Sequence, residues 1–188
     1  MTEQEKMLAG ALYDAGEPEL AAARKRAKEI CQRFNQTAVQ DPEGGTALLR
    51  ELLGQMGEEI SIQPMFWCDY GFNIQMGSHV EINHNCVILD CAKVTFGDHV
   101  FIAPNCGFYT AGHPLDAETR NAGLEFARPI TVGDNVWFGG NVSVLPGVTI
   151  GSGSVIGAGS VVSRDIPPNV VAVGNPCRAV RTIRPEEP

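Results

Sequence analysis

Basic residues are scarce in this chain: 14 Lys and Arg stand against 22 Asp and Glu among 188 residues, a net charge of -8. A phosphate backbone needs a basic face, so this balance excludes general nucleic-acid binding. Also missing is any run of about 18 apolar residues, which removes a membrane span. The first residues, MTEQEKM, lack the basic start and apolar stretch of a secretory signal, and a cytoplasmic location is expected. Six cysteines are present, but no C-x-x-C pair or Cys/His cluster with zinc spacing. Reduced thiols are therefore expected, without a disulfide frame or structural metal. What is left, 44 % hydrophobic and 19 % charged, is the composition of a soluble globular chain long enough for one main domain with an appendage.

The chain divides into two unlike parts. Residues 1–58 form a helical segment, with apolar positions recurring every three or four residues through EQEKMLAGALY, the stretch opened by Pro18, and TALLRELLGQM. Asp41-Pro-Glu-Gly-Gly reads as a turn between helices. From 59 to 184 the period changes to six. Units begin at Met76, Ile82 and Ile88, then, after two intervening residues, at Phe96 and Ile102. After a break they resume at Val132, Phe138, Val144, Ile150, Ile156 and Val162. A helix would repeat near 3.6 and a simple strand at two, so a chain turning a corner after each short strand is predicted. Three sides per coil of about 18 residues make a left-handed parallel β-helix, with the first position of each unit pointing inward and Gly or Asn at the corners. The fold class is thus mainly β, with an N-terminal α-helical segment.

The break, residues 111–129, is a loop ejected from the solenoid, and loops held by rigid scaffolds carry catalytic groups. It contains His113, whose imidazole gains and loses a proton near neutral pH as a general base must. By itself a loop histidine is only a solvent-exposed side chain. After Val132 the charge reverses: Arg164, Arg178, Arg181 and Arg184 face Asp134 and Asp165 alone until the final acids. A small anion suits such a cluster.

Five stretches occur together and in order: Ala9-Gly10-x-Leu12-Tyr13, Cys68-Asp-Tyr-Gly-x-Asn73, Tyr109-Thr-Ala-x-His113-Pro, Val136-Trp137-x-Gly139-Gly140 and Gly174-Asn-Pro-Cys-Arg178. Across nearly its whole length the chain resembles the maltose and galactoside O-acetyltransferases, hexapeptide-repeat acyltransferases. The resemblance implies a homotrimer with active sites between subunits, acetyl-CoA as donor and a sugar hydroxyl as acceptor, with no metal. It implies His113 as general base, the Gly140 amide and Asn83 at the oxyanion, and Glu125 as an acid orienting the imidazole or contacting substrate. Asp69 and Asn83 match sugar-contacting positions; Asn83 also reads as a plain corner residue. Ala103, Gly139, Gly140 and Ala158 supply small side chains for a pantetheine groove. Trp137 faces outward, against pantetheine or a trimer contact. Ser163, Arg164, Arg178 and Arg181 fall near the nucleotide phosphates.

Departures from the galactoside pattern are Ala15 and Cys91, where those enzymes carry acids, and Glu125, where they carry methionine. They favour a maltose-type or broader sugar acceptor. Alternatives are transfer to serine or an antibiotic, a sugar-binding β-helix without turnover, and a zinc carbonic anhydrase using His79, His84 and His99. The last leaves the loop, the helical start and the terminal arginines unexplained.

Overall fold

The computed structural model describes residues 1–185. From Gln55 the chain winds as a parallel β-solenoid of about six turns. The first sheet holds Gln55–Met56, Ile74–Met76, Val94–Phe96, Ile130–Val132 and Thr149–Ile150. The second holds Ser61–Ile62, Glu81–Ile82, Phe101–Ile102, Trp137–Phe138, Val155–Ile156 and Val170–Val173. The third holds Phe66–Cys68, Cys86–Leu89, Gly107–Tyr109, Ser143–Val144 and Val161–Val162.

First-position residues stack coil on coil: Ile82 on Ile102, Ile102 on Phe138, Phe138 on Ile156. All are buried, and each such side chain stabilises the fold by about 1.5–3 kcal/mol. Phe96, Phe108 and Phe138, one from each sheet, meet edge to face at 5.1 and 5.2 Å and fill the centre. Between the second and third sheets, Asn85, Asn105 and Asn141 turn the corner at φ near 60°, a conformation asparagine tolerates better than most residues.

Three helices close one end of the solenoid: α1 (Glu3–Leu8), α2 (Pro18–Thr37) and α3 (Pro42–Leu52). Ile30, Phe34, Leu49 and Leu52 share one core with Ile62 and Phe66 of the first coil, covering apolar surface that an open coil would leave wet. Three expectations change here, the first being that the helical segment expected through Met56 ends at Leu52, with Gln55–Met56 already a solenoid strand. The helix predicted through Tyr13 ends at Leu8; Gly10 takes φ +71°, and Tyr13–Asp14 becomes a strand antiparallel to Leu124–Glu125. Asp41-Pro-Glu-Gly-Gly is not a free turn but the start of α3, because the Asp41 carboxylate accepts from the Gly44 N–H at 2.9 Å and Pro42 suits the first helical turn. The cap outweighs the poor helix propensity of two glycines.

The corner between the third and first sheets is irregular from the outset. Met56 pairs with Met76 and Met76 with Phe96, so the early coils are two residues longer than the later one joining Val132 to Ile150. The added residues sit in this corner, where Asp90 is fully buried and accepts backbone N–H groups from Asp69, Tyr70 and Asn73. The loop opens from the same corner one coil later.

Candidate active site

The loop leaves the solenoid after Thr110, forms the strand Ala111–Gly112 and the short helix α4 (Ala117–Asn121), and returns as Leu124–Ala127. Leu124–Ala127 lies between Ala111–Gly112 and Tyr13–Asp14 in a three-stranded antiparallel sheet. His113 follows the edge strand with its side chain 57 % exposed, and its Nε2 lies 3.9 Å from Glu125 Oε1. That exceeds a hydrogen bond. Glu125 Oε2 accepts from the Tyr13 phenol at 2.9 Å, and Asp69 Oδ2 accepts from the Cys91 thiol at 3.5 Å. Burial pushes the Tyr13 phenol and Cys91 thiol well up, so both stay neutral donors, and it raises the Asp69 carboxyl as well. Arg24 Nη1 donates to the Tyr70 phenol at 2.6 Å and its Nη2 to the Ala15 carbonyl at 2.5 Å, tying α2 to this corner.

The corner between the second and third sheets carries a different set. Asn83, Ala103, Gly139, Gly157 and Val173 occupy equivalent positions on successive coils. At about 4.8 Å per coil, this column runs about 19 Å. Asn83, Ala103 and Trp137 line a groove of about 380 Å³ with Phe101 and His84. Trp137 projects outward, 55 % exposed. Gly140 and Ala158 continue the small-residue surface, joined by the Gly159 N–H to Gly140 carbonyl bond. A side chain at Gly139 would place Cβ 2.6 Å from the Ala158 nitrogen, so only glycine allows these coils to stack. The strand Arg178–Thr182 runs antiparallel to Val170–Val173, which sets Arg178 opposite Val173 at the end of the column and Arg181 opposite Val171.

The site residues named from the sequence therefore fall into two groups. Asn83, Ala103, Gly139, Gly140 and Ala158 share the groove edge, with Trp137, Arg178 and Arg181 on the adjoining second sheet. Asp69, His113 and Glu125 share the loop edge. Ser163 and Arg164 follow Val162, which pairs with Val144, and so belong to the loop edge, apart from Arg178. The sequence pattern left Tyr13 and Asp90 without a role. The signal for Asp90 was an acid inside Ile88-Leu-Asp-Cys, where the six-residue register falters.

Among the described residues no group of three His, Cys, Asp or Glu is arranged to hold a metal ion. His79 and His99 stack ring on ring at 4.4 Å, and His84 Nδ1 is instead hydrogen-bonded to the Pro64 carbonyl. No helix of the described residues is long and apolar enough to cross a membrane.

Residues 6–57 match the maltose acetyltransferase hexapeptide capping motif, and residues 129–164 the bacterial transferase hexapeptide, six repeats. Nodulation protein L of Rhizobium meliloti is 52 % identical over 177 residues, 94 % of this chain and 97 % of that protein. A maltose O-acetyltransferase from Clostridium difficile superposes with a TM-score of 0.96 at 48 % identity, covering 98 % of both chains. A hexapeptide-repeat acetyltransferase of Vibrio cholerae, solved with acetyl coenzyme A, gives 0.91 at 43 % identity over 98 % of this chain and 100 % of the other. A groove of small residues, a loop imidazole beside a carboxylate, a capping segment and six-residue coils thus meet in one molecule, and the chain belongs to the hexapeptide-repeat acetyltransferases.

Proposed function

We propose that the protein transfers acetyl from acetyl-CoA to a sugar hydroxyl, at sites completed between the subunits of a homotrimer. The observation that carries this reading is the division of the site over two edges of one solenoid. The loop edge offers acid–base groups; the groove edge offers about 19 Å of small residues ending in arginine. A second copy, presenting its loop edge to the first copy's groove, unites them, and cyclic symmetry closes the arrangement. Pantetheine then lies along Ala103, Gly139, Gly140 and Ala158 against Trp137. Arg178 and Arg181 from one copy, with Ser163 and Arg164 from its neighbour, meet the phosphates.

In the reaction His113 takes the proton of the acceptor hydroxyl as that oxygen attacks the thioester carbonyl. The tetrahedral oxyanion faces the Gly140 N–H and the Asn83 amide. Its collapse expels the CoA thiolate, which recovers the proton from the imidazolium and leaves as free thiol. Glu125 favours the charged ring between these steps. Asp69 accepts from acceptor hydroxyls. Cys91, a buried neutral donor to Asp69, stands where galactoside enzymes carry an acid, and Ala15 lacks the other one, which supports a glucose- or maltose-type acceptor.

The test is an acceptor panel with acetyl-CoA, following thiol release. Glucosides and maltose are expected to give turnover well above galactosides. Faster release with serine or an aminoglycoside would move the acceptor class, and no release with any acceptor would remove the catalytic reading.

A further inference from the structure

The Tyr13 side chain is 1 % exposed and reaches the catalytic loop from a segment whose other residues serve as a cap. Its backbone lies directly opposite Glu125 in the antiparallel pair, and its phenol donates to Glu125 Oε2 while Glu125 Oε1 faces His113. The carboxylate is thus held at one oxygen and presented by the other. Leu124–Ala127 also pairs with Ala111–Gly112, the strand that delivers His113, so one short sheet fixes ring and carboxylate together.

Tyr13 is itself fixed. It packs among Met7, Leu20, Tyr70, Cys91 and Ala127, and a phenol in that setting stays protonated and keeps donating. The titratable groups facing the Tyr13–Glu125 pair are Cys91 and Asp69 from the solenoid corner, with Arg24 and Lys28 of α2 acting on Asp69. His113 is faced by Glu125; Asp116, Glu118 and Arg120 are the charged residues of its own loop before Glu125.

We propose that Tyr13 is a positioning residue: its phenol holds Glu125 for the His113 imidazole, making the N-terminal segment a working part of the acid–base site. The inference rests on His113 being the base. Its test reads the ring directly, in the resting protein without acceptor.

Histidine titrations by NMR are compared for the full-length protein, Tyr13→Phe, Glu125→Gln and the double variant. Phenylalanine keeps the packed ring and removes only the donor. Without the phenol, Glu125 loses the contact that holds its other oxygen toward the ring, so a positioning role predicts that the His113 midpoint moves in Tyr13→Phe. In the Glu125→Gln background the same change is expected to add nothing further, because the route to the ring is already cut. Turnover is expected to fall about tenfold in Tyr13→Phe, the worth of one hydrogen bond to a charged group, with the KM for acetyl-CoA unchanged. An unmoved midpoint in Tyr13→Phe, or a full further shift in the Glu125→Gln background, overturns the proposal. Activity retained by His113→Ala would instead remove the assignment of the base, leaving the measured Tyr13–Glu125–His113 coupling intact.

Discussion

At the residue scale, the six-residue period carries the reasoning a long way. Its interruption marks the loop, and the loop holds His113 beside Glu125. The same pattern is silent on Tyr13 and Asp90, because their partners are set by tertiary pairing, in one case 112 positions away. General-base loss costs about 100- to 10,000-fold, so His113→Ala is expected to lower kcat by that range with acetyl-CoA affinity within twofold. Steady-state rates and calorimetry check both halves. Asp90 gives a prediction of a different kind. Burial lifts its carboxyl from near 3.8 up to about 6, so between those pH values the folded chain holds a proton that the unfolded chain has released. Its contribution to stability is full below about pH 4 and is lost as the pH rises through about 6, roughly 3 kcal/mol in all. Asp90→Asn cannot ionise and lacks that dependence. Denaturant melts of both proteins at pH 4 and pH 7, at one protein concentration, are expected to show the wild-type advantage shrinking by about this amount; a constant difference contradicts the assignment.

Among the elements, strands and corners were legible because each coil repeats the last, whereas the ends were not. The glycines of α3 read as a turn until Asp41 is seen to cap them, and Tyr13–Asp14 reads as helix until its partner strand is in place. The groove itself is a property of coil stacking, and two neighbouring glycines separate its two roles. An added Cβ at Gly139 meets the Ala158 backbone at 2.6 Å, while at Gly140 the nearest atom is the Pro104 carbonyl at 3.4 Å. Gly139→Ala is therefore expected to cost about 1–3 kcal/mol of stability, a fall of several degrees in Tm. Gly140→Val is expected to keep Tm within about 3 °C and weaken acetyl-CoA binding about tenfold or more by filling the groove. Thermal melts beside titration calorimetry test the pair; the opposite pattern would mean that the groove wall has been misplaced.

For the whole molecule, the residues proposed for the site fall on two separate edges of one solenoid, and no sequence pattern announces that division, since period alone does not say which corners face a neighbour. The small-residue column and its arginines lie on one edge, the imidazole and its carboxylates on another. The most direct measurement co-assembles two inactive proteins in equal amounts, His113→Ala and Asn83→Ala. If each site joins the groove edge of one copy to the loop edge of the next, random trimers carry both intact edges at about a quarter of their interfaces. Acetyl transfer should then return to about a quarter of the wild-type rate per subunit. A mixture as inactive as either parent would contradict a site shared between copies.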